Sequence, residues 1–166
     1  NIKTFYTHFL SDTTRKIFYT LLLLWDRVRM RHEKDLYRLI YSSRPFGFDT
    51  SVLNGLLIDS RDNNKKNNIT GSLLCRADIY LQMLEGPEEK VLNTFDKIKI
   101  DDRHLEIEVL LKERDIKRRL FPDWAMKDDP VESWMWSQKE IADGEVQKSS
   151  KEKVLNIFKQ IAASEK

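Results

Sequence analysis

One cysteine, Cys75, stands in 166 residues, so no disulfide within the chain is available and a reducing cytoplasm is the simplest compartment. The three histidines, His8, His32 and His104, have no metal-ligand spacing with cysteine or acid. No apolar stretch reaches the about 20 residues that a membrane-spanning helix needs. The longest, Ile17 to Trp25, is interrupted by Thr20. Its basic flanks are those of a signal peptide, but Asp26-Arg27-Val28-Arg29 follows where a small-residue cleavage site belongs, so the protein is expected not to be secreted. A net charge of +2 gives little support to nucleic-acid binding. There is no Gly-x-Ser-x-Gly elbow and no suggestive Ser-His-Asp set, and Gly86-Pro87-Glu88-Glu89-Lys90 lacks the glycines and the Ser/Thr of a phosphate-binding loop. No internal repeat or low-complexity segment interrupts the chain.

What remains is a soluble globular composition, 40% hydrophobic and 34% charged, long enough for one domain with appendages. Three parts are expected: an N-terminal extension over 1–34, a body over 35–127 and a tail over 128–166. The extension holds seven Lys/Arg against three Asp/Glu, so the basic balance belongs to it and not to the body. A helix is expected over about 13–33, capped by Ser11 or Asp12. Ile17, Leu21, Leu24 and Val28 share one face, with Phe18, Leu22 and Trp25 beside it. Such a face packs on the body, on a second chain or on a membrane surface. The chain begins with Asn, and Met30 lies just before the body.

In the body, Leu36 to Ser42 reads as a strand. A helix starts at Asp49 or Thr50, with Leu53, Leu56 and Leu57 inward, and 59–68 reads as a polar turn. Strands follow over 69–75 and 79–84, separated by Arg76-Ala77-Asp78, and Cys75 falls in an apolar strand pattern that suits a buried, inert thiol. Pro87 opens a second helix with Val91, Phe95 and Ile98 on one face. Leu105 to Leu111 alternates as a strand, and Phe121 to Met126 makes a short last one. The order βαββαβ(β) is the ferredoxin-like split βαβ arrangement, an α+β sheet with two helices on one face. In the tail, Trp134-Met135-Trp136 is an apolar cluster. Ser149 and Glu152 form a capping box, and a helix over about 150–163 puts Val154, Ile157, Phe158 and Ile161 on one face. That face docks on the uncovered side of the sheet or on a partner.

The polar residues inside the apolar strands carry the chemistry. Gln82 lies between Leu81 and Met83 and shares its face with Tyr80 and Leu84; Tyr41 ends the first strand, and Asn63-Asn64 precedes the second. An unpaired buried amide costs about 1–3 kcal/mol, so each needs a partner. Two readings stand. In one, the tyrosine is core filler, the asparagines form a turn and the glutamine sits at an edge. In the other, a phenol, two carboxamides and apolar walls hold a flat heterocycle with donors and acceptors along one edge. Asp101 and Asp102 beside Arg103 and His104 read as a solvated helix end rather than as catalytic carboxylates of a hydrolase.

From Asp35 to Lys127 the sequence resembles the BLUF family of blue-light sensors that use FAD. The resemblance runs through Leu36-Tyr37-Arg38-Leu39-Ile40-Tyr41-Ser42-Ser43, Asn63-Asn64 before Ile69-Thr70-Gly71, Gln82-Met83-Leu84-Glu85-Gly86, Asp102-Arg103-His104 and Arg118 to Met126, in that order. It implies that FAD lies between the two helices with its ring toward the sheet. Tyr41 then matches the electron-donating tyrosine, Gln82 the switching glutamine and Asn64 the asparagine at the ring's carbonyl edge, assisted by Asn63. The resemblance implies that Tyr41 gives up an electron and then a proton, which passes through the Gln82 amide and leaves that amide rotated or tautomerised, with a red-shifted absorption. Lys97, Ile98, Asp101, Arg103 and His104 match the face that contacts the ring and the ribityl–phosphate side. Trp124 and Met126 match the pair that relays the change. Lysine at 97 departs from the arginine also used there, keeping the charge but not the planar fork. Nothing is carried over to 1–34.

The expected function is therefore a blue-light photoreceptor and not an enzyme, since 128–166 is too short for a cyclase or phosphodiesterase. Its signal leaves through a protein partner or a homo-oligomer. The alternatives are a ferredoxin-like protein-interaction module without cofactor and, more weakly, an RNA-binding domain of the same topology, which lacks the aromatic signature on its strands.

Overall fold

Strand alternation and two helical stripes in the sequence become one four-stranded antiparallel sheet in the computed structural model, which describes residues 16–17, 19–21, 23, 36–47, 50–121 and 135–163. The chain divides into two compact units, 1–34 and 35–166. In the first, the described residues are helical, and Ile17, Tyr19, Leu21 and Leu23 are exposed. Phe18, Leu22, Leu24, Trp25, Val28 and the proposed caps lie outside the described residues.

In the second unit, β1 is Leu36–Pro45, α1 Thr50–Lys66, β2 Thr70–Arg76, β3 Ile79–Pro87, α2 Glu88–Lys99 and β4 His104–Ile116; α3 (Gln138–Ala142), α4 (Glu145–Lys148) and α5 (Lys151–Ala163) follow. The sheet order is β2-β3-β1-β4. This is the expected α+β ferredoxin-like split βαβ: β3 returns between β1 and β2 and pairs antiparallel with both. The expected short strand over 121–126 lies outside the described residues beyond Phe121.

Side-chain alternation sorts the sheet into two faces. Tyr37, Leu39, Tyr41, Leu73, Cys75, Tyr80 and Leu84 face α1 and α2, where Leu57, Val91 and Phe95 close the layer. Ile40, Leu74, Leu81 and Met83 face the other way, onto Phe121, Met135, Trp136, Val154, Ile157, Phe158 and Ile161. The tail helix thus covers the sheet face that α1 and α2 leave free. The two halves of β2 and β3 meet closely at Gly71: a Cβ there would lie 1.9 Å from the Met83 carbonyl oxygen, so only glycine keeps this register.

Two local expectations are corrected. Residues 59–66 continue α1 rather than forming a turn. The inward stripe runs on through Leu57, half-buried Ser60 and buried Asn64, but its residues turn polar, which hid the helix from hydrophobic periodicity. The turn comes at 67–68, where Asn68 takes a left-handed φ of 55° and the Asn64 carbonyl accepts from Ile69 N at 2.9 Å. The second correction concerns caps. Ser150, not Ser149, caps α5 by accepting from Lys153 N at 3.1 Å, while Ser149 Oγ accepts from Trp136 Nε1 at 2.8 Å. A full capping box sits instead at Ser137 and Glu140, opening α3; its Ser-x-x-Glu spacing was present in the sequence.

Candidate functional site

The register of β1 against β3 sets Tyr41 directly opposite Gln82. Side chains of such cross-strand pairs lie close enough to interact. Here the Tyr41 hydroxyl donates to Gln82 Oε1, and both residues are buried, Tyr41 completely. Phe95 of α2 lies against the Tyr41 ring at 5.2 Å between centroids. Burial pushes the Tyr41 phenol well above its usual pKa, with the Cys75 thiol and the Asp101 carboxylate adding to the effect. Cys75 itself is buried and not in a disulfide.

His104 opens β4 on the same side. Its Nδ1 lies 2.9 Å from Ser43 Oγ, and its ring sits edge-on to Tyr41 and Tyr80 at 6.1 and 5.4 Å. Ser43 was missed as a site residue, although it stands two positions after Tyr41 on the alternating pattern. A serine hydroxyl both donates and accepts, so it serves either tautomer of a neutral imidazole.

Burial lowers the His104 pKa to about 4, with Asp101 opposing and Arg103 reinforcing the shift. The unfolded chain therefore binds this proton more readily between pH 4 and 6.5. His104 contributes stability that is fully present above about pH 6.5 and falls as pH drops toward 4, by up to about 3 kcal/mol. Denaturant titrations from pH 4 to 7 are expected to show this slope, and His104→Gln to flatten it. Equal slopes in the two proteins contradict the assignment.

The rim carries charge. Arg103 donates through Nε and Nη2 to the Asp101 carboxylate at 2.8 and 2.6 Å, and this partner holds the Asp101 carboxyl below its usual pKa. Arg103 Nη1 also reaches Asp59 of α1 at 3.7 Å. Asp101 and Arg103 thus form a paired, half-buried corner, with Asp102 exposed and His104 buried.

Of the expected site residues, the structure brings Tyr41, Gln82 and His104 together, with Asp101 and Arg103 beside His104. Ile98 packs partly buried against the same cluster. Asn64 is buried in the last turn of α1, whereas its neighbour Asn63 is exposed, as is Lys97. Trp124 and Met126 lie outside the described residues.

Comparison with known proteins agrees with the fold. The profile of the BLUF family, described as sensors of blue light using FAD, matches residues 36–127. The photoactivated adenylate cyclase subunit alpha-like protein FB of Euglena gracilis is 28% identical over 104 residues, covering 61% of this chain but 10% of that protein. The dark-state structure of the BLUF protein BlrB is 29% identical, with a TM-score of 0.65, and covers 80% of this chain and 98% of that one. A bacterial light-regulated adenylyl cyclase is 34% identical with a TM-score of 0.57, over 68% of this chain and 33% of that one. The chain therefore spans a small part of its cyclase relatives and nearly the whole of BlrB. Among the described residues, no helix is long and apolar enough to cross a membrane. Fold and family profile converge, and the chain belongs to the BLUF family of sensors of blue light using FAD.

Proposed function

We propose that the helix-facing side of the sheet binds FAD, that blue light acts through Tyr41 and Gln82, and that the change is passed by contact to a protein partner or a second copy. The observation that carries this reading is the buried, cross-strand Tyr41–Gln82 hydrogen bond. The donor set suits a flavin. Apolar Leu57, Leu73, Phe95 and Ile98 flank it, and the carboxamides of Gln82 and Asn64 can meet the carbonyl and N–H edge of a flat ring. Exposed Lys97 and the Arg103 guanidinium suit the phosphate side. Asn63, facing solvent, is the weaker of the two asparagines for this task.

Bound FAD supplies a light-driven oxidant. The chain supplies the rest. In the dark the Tyr41 phenol keeps its proton, because burial disfavours the phenolate. An oxidised phenol is a strong acid, and Gln82 Oε1 is the first acceptor it meets. Rotation or tautomerisation of the amide exchanges donor and acceptor at that place, which is what a carboxamide can do and an ester or carboxylate cannot. Trp124 and Met126 are assigned the relay, and the tail beyond them the output.

The test is optical. Purified protein is expected to be yellow, to release FAD on denaturation, and to shift reversibly to the red under blue light. Colourless protein that takes up no FAD overturns the reading in favour of a cofactor-free interaction module. Release of FMN alone overturns the cofactor assignment.

A further inference from the structure

On the sheet face opposite Tyr41, one row of polar side chains crosses all the strands. Thr70 of β2 pairs in register with Glu85 of β3, Glu85 with Arg38 of β1, and Arg38 with Glu113 of β4. Arg38 donates to Glu85 Oε1 from Nε at 2.8 Å and from Nη2 at 2.7 Å, and to Glu113 Oε2 from Nη1 at 2.6 Å. Glu85 is completely buried. A carboxylate in such a place must have its remaining lone pairs satisfied. Its second oxygen is satisfied by backbone: Leu120 N donates to Oε2 at 2.8 Å and Phe121 N at 3.2 Å. Next to these, Arg119 donates to Thr70 Oγ1 at 3.1 Å and to the Asn68 carbonyl and side-chain oxygens at 2.7 and 3.0 Å. Residues 119–121 are strapped across the sheet by both contacts.

The strap has connections at each end. Phe121 meets Phe158 of α5 edge-on at 6.5 Å. Glu85 stands three residues after Gln82 on the same strand, and residues 122–134, with Trp124 and Met126, follow Phe121 directly. We infer that Glu85 is a positioning residue for signal output: with Arg119 it holds the 119–121 strap, so that a change around Gln82 reaches α5 instead of being lost in a loose connection. This rests on the proposed photochemistry at Tyr41 and Gln82.

The test compares hydrogen exchange of the full, FAD-loaded chain in darkness and under blue light, together with its absorption. In the wild type, the red shift is accompanied by a light–dark difference in protection over 135–163. Glu85→Gln removes the charge and keeps the shape. It is expected to retain the red shift and lose that light–dark difference. Arg119→Ala, at the rim of the sheet, is expected to do the same and serves where Glu85→Gln does not fold. A role in stability alone would lower protection equally in light and dark and leave the difference intact. A wild-type difference in either folded variant overturns the inference. So does a wild-type red shift with no change over 135–163, an outcome that leaves the photochemical reading standing. A wild type without any red shift removes that reading, and this inference with it.

Discussion

Tyr41→Phe is expected to yield a yellow protein whose flavin spectrum no longer makes the normal reversible red shift under blue light. The substitution removes one oxygen and keeps the ring that packs against Phe95. Its structural cost is the lost partner of Gln82 Oε1, about 1–3 kcal/mol. A domain of ordinary stability, about 5–15 kcal/mol, tolerates that loss. Flavin binding should therefore survive while the proton donor is gone. Gln82→Leu makes the complementary case, leaving the phenol and removing the amide that exchanges donor and acceptor. Dark and illuminated absorption spectra of the two purified variants decide the matter. A wild-type response from either one contradicts the role assigned to that residue.

Phe158→Ala is expected to be the most destabilising single truncation in the tail, by about 3–5 kcal/mol. Phe158 is completely buried, belongs to the same apolar cluster as Ile157, Ile161, Trp136 and the sheet residues, and is set edge-on to Phe121. Its loss opens a cavity at the joint between α5 and the strap. Urea unfolding should show a lower midpoint. A change of less than about 1 kcal/mol would mean that α5 contributes little to the folded sheet. Because Tyr41 and Gln82 lie on the other face, flavin uptake by the folded fraction should be unaffected. That separation makes Phe158→Ala a stability probe and Tyr41→Phe a photochemical one.

Much of the fold was legible because short apolar runs bounded by turn residues mark the strands and the helices that pack on them carry apolar stripes. Val91, Phe95, Val154, Ile157, Phe158 and Ile161 are buried as their spacing required. The helix through 59–66 was not legible, since its inward positions are Ser60 and Asn64 and the usual signal is hydrophobic. The same polarity that concealed the helix places a carboxamide on its buried side. Ser150 and the Ser137–Glu140 box show a related limit. Several serines near a helix start satisfy the capping pattern, and the choice among them follows from what else each hydroxyl can bond, as Ser149 does with Trp136.

Taken alone, the sequence determined the element types of the sheet and its flanking helices outside 59–66, the face on which Tyr41, Tyr80, Gln82 and Leu84 each lie, and the family, because these depend on local spacing and on residue identity in order. Only the tertiary structure decided which of those residues meet. A period of two assigns a side chain to a face but not to a partner across the sheet. The pairing of Tyr41 with Gln82, of Ser43 with His104, and of Glu85 with Arg38 is set by strand register, and the return of the chain after β4 brings the backbone of 120–121 onto Glu85. Register is fixed by how both faces of the sheet fill their cores at once: α1 and α2 on one side, α5 and its neighbours on the other.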